Sequence, residues 1–309
     1  MLFDAYVFVD WSARTGRGSA RPRKDSIWIG TFRRGRPAAA QYCRTRAEGT
    51  AHVRTLLLEA LARGERVLAG FDFPLGYPRG FAKALGLEGP AWRATWDALS
   101  ARLIDGDDNR SNRFEVAMAL NAAAGGGPGP FWGRPISRRN PADAPVWRAL
   151  APTSPGFRPA FMARGGVPLV RLRTCDARLT GVQECWKLLG VGSVGSQALT
   201  GIPRVRALRD DPALMAASAV WPFETGFATT LPEGVRILLA ECWPGIVEDR
   251  VRLRSEAIRD EAQVLALCEW ARELDRAGAL AKLLGPQPGL EGEALRAVVE
   301  EEGWVLGQP

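Results

Sequence analysis

Three apolar runs, far apart in the chain, each stop on an acid: AYVFVD at Asp10, VLAGFD at Asp72 and VRILLAE at Glu241. Runs of this kind, apolar and bounded by turn residues, read as buried strands. A carboxylate that ends such a strand is costly to place without a partner, so the three acids point to one functional edge of the sheet. Pro74 and Pro244 follow closely and stop the strands, because proline cannot continue a central ladder.

The segments around these runs predict the rest of the fold. SIWIGTFR at 26–33 alternates after a Gly/Arg/Pro-rich turn at 16–24 and pairs with the first run as a hairpin. A third short strand is expected at 38–44, then a helix from Ala47 to Arg63 with Val53, Leu56, Leu57, Ala60 and Leu61 on one face. The order is βββαβ, with strand four beside strand one and strand five continuing the parallel part, since βαβ crossovers need parallel neighbours. Roughly 160 residues then separate strands four and five, too many for one loop, with helical patterns at 91–105 and 110–123. A late helix is expected from Ile258 to Asp275 with Asp260 in its first turn, and a short helix in 290–306 anchored by Trp304. The predicted fold class is therefore α/β: a mixed five-stranded sheet formed by 1–72 and 233–309, with a large, mainly helical insertion at 73–232.

Composition narrows the chemistry. The single His52 lies in an amphipathic segment with no partner motif, which argues against Ser/His/Asp and Cys/His mechanisms. Five cysteines, odd in number and without CxxC, give no zinc set and suit a reducing cytoplasm. No run approaches a membrane-spanning length, and Asp4 and Asp10 interrupt any standard export signal. Nothing specifies the oligomeric state. Carboxylates remain, and Asp10, Asp72, Glu241 and Asp260 would together suit Mg²⁺ or Mn²⁺, hard cations that prefer oxygen ligands and support two-ion phosphoester hydrolysis. Lys and Arg exceed Asp and Glu by 41 to 34, a net charge of +7 that favours phosphate-bearing partners. Nine of the arginines fall in 134–178, where they read as a phosphate footprint or as a solvated loop.

Gly190–Gly195 spells GxGxxG, with Asp210 about twenty residues on, but no clear strand precedes it, and Gly201 and Pro203 are expected to break the following helix. It reads as a tight helix–helix turn, or as a phosphate cradle in which Gly192, Ser193, Ser196 and Gln197 supply donors. Arg113, Glu115 and Asn121 share a helix face that either points at the cleft or is solvated, and the hairpin could set Lys24 and Asp25 beside Asp10. Asp10–Arg14 (DWSAR), with Ser12, is similar to the first phosphate loop of actin-like and sugar-kinase ATPases, but those need two cores and the chain has room for one.

VFVDWSA, VLAGFDFPLGYP, ILLAECWPGIV and RDEAQVLALCEWA resemble the blocks of the DUF429 group, ribonuclease-H-like predicted nucleases. More closely, DWSA, KDSIWIG, GFDFPLGYP, NRFE, GPFWG, CWKLLGVGSVGSQ, WPFE and EEGWVLG resemble bacterial proteins labelled "molybdopterin guanine dinucleotide synthesis", over nearly the full chain. The resemblance implies a ribonuclease-H-like fold, with the family's acids on Asp10, Asp72, Glu241 and Asp260 as catalytic metal ligands, and phosphodiester hydrolysis on nucleic acid. One departure stands out: relatives often carry a second acid on the late helix, where this chain has Gln263-Val264. Two other readings are an enzyme acting on a nucleotide or pterin phosphate in a closed pocket, and a catalytically silent binding protein. An open, Arg-lined groove favours the nuclease, and a pocket floored by the glycine segment favours a small substrate.

Overall fold

The computed structural model describes residues 1–125, 127–135 and 149–308. Its strands are β1 (Ala5–Asp10), β2 (Ile27–Arg33), β3 (Ala39–Cys43), β4 (Val67–Phe71), β5 (Ala160–Met162), β6 (Pro168–Val170), β7 (Ser218–Val220) and β8 (Ile237–Glu241). The α-helices are α1 (Arg46–Ala62), α2 (Phe81–Ala84), α3 (Ala91–Arg102), α4 (Arg113–Ala124), α5 (Val194–Arg209), α6 (Glu248–Arg252), α7 (Arg259–Arg276), α8 (Ala279–Leu284) and α9 (Gly292–Ala297). None of the helices among the described residues is long and apolar enough to cross a membrane.

The fold is mixed α/β, with the main sheet ordered β3-β2-β1-β4-β8-β7. β1, β2 and β3 form an antiparallel meander, while β4 lies parallel beside β1 and β8 parallel beside β4, the neighbours expected from the sequence. The sheet has six strands rather than the expected five. Ser218–Val220 is too short to carry a strand pattern, and only its parallel pairing with Ile237–Leu239 makes it one. A separate hairpin, β5 with β6, lies in the long connection between β4 and β8.

Side chains alternate across the sheet, and the two faces are packed differently. Tyr6 and Phe8 of β1 and Leu68 of β4 pack with Ala262, Ala266 and Ala271 of α7. Val7, Val9 and Phe71 point the other way, into a core with Val53 and Leu57 of α1 and the buried aromatic residues Trp96 and Trp186. Helix α7 comes very close to β2: a Cβ on Gly30 would stand 2.5 Å from the Val264 carbonyl oxygen. Backbone cannot yield there as a flexible side chain would, so Gly30→Ala should destabilise the protein by about 1–3 kcal/mol. Chemical denaturation would show this as a lower midpoint at unchanged slope.

Helix α5 corrects one expectation, because it runs unbroken through Gly201 and Pro203. An interior proline costs a helix about 3 kcal/mol. Ala198, Leu199, Ile202 and Val205 are completely buried on one face, and each large aliphatic side chain returns about 1.5–3 kcal/mol. Gly201 leaves the space that the Phe73 ring fills: a Cβ there would lie 2.3 Å from it. Packing outweighs local propensity.

Candidate functional site

The register of the sheet decides which strand-end acids meet. Val9 is level with Phe71 across the parallel β1–β4 pair, so Asp10 and Asp72 leave their strands at the same height. Both continue the Tyr6, Phe8 and Leu68 face, toward α7. Phe71, however, is level with Glu241 across β4–β8, so Glu241 stops one residue short and its side chain takes the opposite face. The residue that accompanies Asp72 is Cys242.

Glu241 is therefore separated from the expected four-acid cluster. Arg173 binds it with two nitrogens, Nη2 to Oε1 at 2.6 Å and Nη1 to Oε2 at 2.7 Å, and the Leu75 amide donates to Oε2 at 3.0 Å. Arg173 also donates through Nε and Nη2 to Asp176, at 2.9 Å each, and to the Glu302 carbonyl. Burial disfavours the guanidinium charge, but Asp176 and Glu241 more than offset it and raise the Arg173 pKa. Glu241 belongs to a buried ion-pair triad that ties β8 to the chain before it and to the C-terminal segment. Nothing in the sequence around Arg173 or Asp176 marks them for this role.

Asp10 and Asp72 are within hydrogen-bonding reach of each other. Burial, then the charges of Asp72 and Asp260, hold the Asp10 carboxyl well above the usual carboxylate range. Burial raises Asp72 too, against the Trp11 amide that donates to its Oδ1 at 2.7 Å. Asp260 approaches from the first turn of α7, half-buried, where burial raises its pKa and the Ser26 amide donates to Oδ2 at 3.4 Å. Among the described residues no Lys or Arg forms an ion pair with Asp10, Asp72 or Asp260, although salt bridges are plentiful elsewhere. The acids share a charge that the protein does not neutralise.

The three line a cavity of about 1010 Å³ together with Ser12, Asp25 and Arg113. Gly190, Gly192, Ser193, Ser196 and Gln197 form its facing wall, so the glycine segment does reach the acids. It does so as the loop before α5, with Ser193 at the helix N-cap, and no Rossmann-type strand precedes it. Asp210 pairs instead with Arg93. The link to the acids is direct: Gln197 Nε2 donates to the Trp11 carbonyl at 2.6 Å, and the Trp11 amide holds Asp72. The Ser12–Arg14 loop is pinned from behind by fully buried Arg46, which donates to the Ser12 and Arg14 carbonyls while paired with Asp105. Ser12 Oγ donates to the Asp25 carbonyl, closing the hairpin over the cavity rim.

Other candidates are placed elsewhere. Lys24 is exposed and does not line the cavity, Glu115 is exposed on α4, and Asn121 is buried, bonded to the Phe131 and Ala149 carbonyls. Among the described arginines of 134–178, none lines this cavity: Arg171 pairs with Glu184, Arg173 with the triad, and Arg178 donates to the Pro288 and Gly289 carbonyls. Arg138, Arg139 and Arg148 lie outside the described residues. Gln263, one turn after Asp260, does line the cavity, so a neutral amide and not a second acid faces it from that turn of α7. Trp243 stands between this cavity and a smaller one of about 330 Å³ behind Asp72, a role that only the closed fold shows. All five cysteines are buried and free, and His52 is half-buried on α1, away from the acids.

Among the described residues, no three His, Cys, Asp or Glu side chains form a group that could hold a metal ion as they stand. That excludes a ready-made cage. It leaves the donor set typical of Mg²⁺, which keeps several waters and binds through one or two carboxylates plus substrate phosphate. The Asp10–Asp72 pair, half-buried and without an ion-pair partner among the described residues, fits that demand. No protein-family model, no curated protein and no solved structure matches the chain.

Proposed function

We propose that this chain hydrolyses a phosphodiester with the help of a divalent cation, Mg²⁺ or Mn²⁺, in the cavity between Asp10, Asp72 and the glycine segment. The carrying observation is the contact between two half-buried carboxylates with no Lys or Arg partner among the described residues. Like charges so placed are unfavourable unless a proton or a cation joins them. Asp10 and Asp72 would hold the ion, and the Trp11 amide orients Asp72. Bound there, the cation would lower the pKa of water and offset charge on the phosphoryl oxygens. Asp260, apart from the pair and raised by burial, suits a proton acceptor for the attacking water. The strand order and the Asp10–Asp72 pair at adjacent strand ends support a ribonuclease-H-like core, from which Glu241 departs.

A compact substrate fits better than a long nucleic acid. The cavity is bounded by the glycine loop, and its volume lies at the upper end of small-molecule sites. None of the described arginines of 134–178 lines it. Mn²⁺-dependent turnover across dinucleotides, cyclic dinucleotides, single-stranded DNA and RNA tests this directly. Cleavage of short substrates is expected to exceed that of long ones. A protein inert toward the whole panel, whose melting temperature ignores Mn²⁺, would leave a binding scaffold as the remaining reading.

A further inference from the structure

Trp243 borders both the acid cavity and the smaller one of about 330 Å³, and Asp72, Val191 and Gly192 border both as well. The aromatic residues around the two spaces are not equally engaged. Trp11 and Phe73 pack on each other with ring centroids 5.7 Å apart, whereas Trp243 pairs with no ring among the described residues, and its Nε1 has no acceptor there. Its indole is seated on backbone: a Cβ on Gly245 would stand 2.3 Å from Cζ2 and 2.5 Å from both Cε2 and Cη2. Near-equal approach to three atoms of one ring sets Gly245 against a face of the indole. The residue is half-buried, so it is held on that side and borders open space on the other. A flat aromatic surface fixed in this way suits the stacking of a second ring.

The walls of the smaller cavity favour a neutral occupant. Phe73, Pro74, Val182 and Val305 give it apolar lining. Arg173 is its one cation among the described residues, and all five of its N–H donors are engaged, by Asp176, Glu241 and the Glu302 carbonyl. No free cation meets a phosphate there, and Asp176 and Glu241 oppose one. The amide of Gln183 offers a different contact. Its Oε1 accepts from Lys187 Nζ at 3.2 Å, while Nε2 has no partner among the described residues. Gly192 lets the stem of this side chain lie close, since a Cβ on it would stand 2.4 Å from Gln183 Cγ. Apolar walls with a well-placed polar group are the usual composition of a small-molecule site, and the volume lies at the lower end of such sites.

We infer that Trp243 and the smaller cavity form a subsite for a nucleobase, which stacks on the indole and accepts a hydrogen bond on its edge from Gln183 Nε2. Val191, 94% exposed on the glycine loop, adds apolar surface where the two cavities adjoin. Because Asp72 borders both spaces, a base bound in the smaller one leaves its sugar and phosphate beside the acid pair. The placing of a phosphodiester there rests on the function proposed above; the base subsite does not.

Saturation-transfer NMR in EDTA separates the two claims, because neutral nucleosides need neither a cation nor a scissile bond. The probes are the four ribonucleosides, with ribose 5-phosphate as the control that lacks a ring. At least one nucleoside should receive saturation from the parent, strongest on its base protons, and ribose 5-phosphate should receive none. Trp243→Leu should weaken binding of that nucleoside about tenfold, the effect of losing one base–aromatic stack, and Trp243→Phe should retain most of it. Gln183 is exposed, so Gln183→Glu leaves the core untouched; it should melt with the parent and bind the nucleoside more weakly, a carboxylate having no proton to donate. No saturation of any nucleoside by the parent, equal affinity in parent and Trp243→Leu, or unchanged binding in Gln183→Glu would overturn the subsite as assigned. Nucleoside binding without Mn²⁺-dependent turnover would keep the subsite and refute the hydrolytic function. Turnover whose KM is the same in Trp243→Leu would do the reverse.

Discussion

Arg173→Met should cost the folded protein about 3–5 kcal/mol at neutral pH, the usual penalty for removing one partner of a buried ion pair. The side chain is 1% exposed, and its loss leaves Glu241 and Asp176 with buried charge and the Glu302 carbonyl without a donor. Native stabilities are themselves only about 5–15 kcal/mol, so the variant loses roughly a fifth or more of the margin. The effect has a pH signature. Burial already raises the Glu241 pKa against the Arg173 charge, and without the guanidinium it rises further above its unfolded value. The folded state then binds the extra protons, so the penalty should be largest at neutral pH and shrink as pH falls into the carboxylate range. Combining Arg173→Met with Glu241→Gln and Asp176→Asn should recover much of the loss, because charge is removed from both sides. Urea denaturation at pH 5 and pH 7.5 measures both effects. A penalty of the same size at both values would show that Arg173 contributes packing rather than charge pairing.

Asp10→Asn should do the opposite to stability and the most to activity. The Asp10 and Asp72 pKa values are raised in the folded protein, by burial first. Stability from these groups is fully present below the ordinary carboxylate range and is lost as pH climbs through the raised values. At neutral pH without cation the pair is therefore a liability, and an isosteric amide that can donate to Asp72 should raise stability by about 1–3 kcal/mol. The same change removes a proposed cation ligand. Mn²⁺ should raise the melting temperature of the parent but not of Asp10→Asn, and turnover should fall at least ~100-fold. Scanning calorimetry with Mn²⁺ or EDTA, next to turnover, reads all three effects. A variant that still responds to Mn²⁺ would place the cation elsewhere.

Much of the architecture could be read from local pattern. The three acid-ended runs became the central strands β1, β4 and β8, and the alternation in 26–33 became β2. The α1 pattern, expected from Ala47 to Arg63, became Arg46–Ala62, with Val53 and Leu57 buried on the face that the periodicity indicated. These features depend on side chains a few residues apart, whose spacing the chain itself prescribes. Asp10 and Asp72 share this legibility, since Asp10 ends β1 and Asp72 directly follows β4.

What the sequence alone determined, then, is the order and type of the principal elements, the meander followed by parallel strands, and an acid pair at one edge of the sheet. The tertiary structure decided the rest. Whether Glu241 joins that pair depends on a one-residue offset between β4 and β8, because side chains alternate and a single step reverses the face. Its partner Arg173 lies 68 residues away, and no local pattern links the two. Ser218–Val220 is a strand only because β8 offers it an edge, and α5 passes through Pro203 only because its buried face outweighs the lost hydrogen bond. Arg113 lines the same cavity as the acids because α4, α5 and the β1 loop close around it. Periodicity is a property of neighbours along the chain, whereas register, charge pairing and cavity walls arise between segments that meet only when the chain is folded.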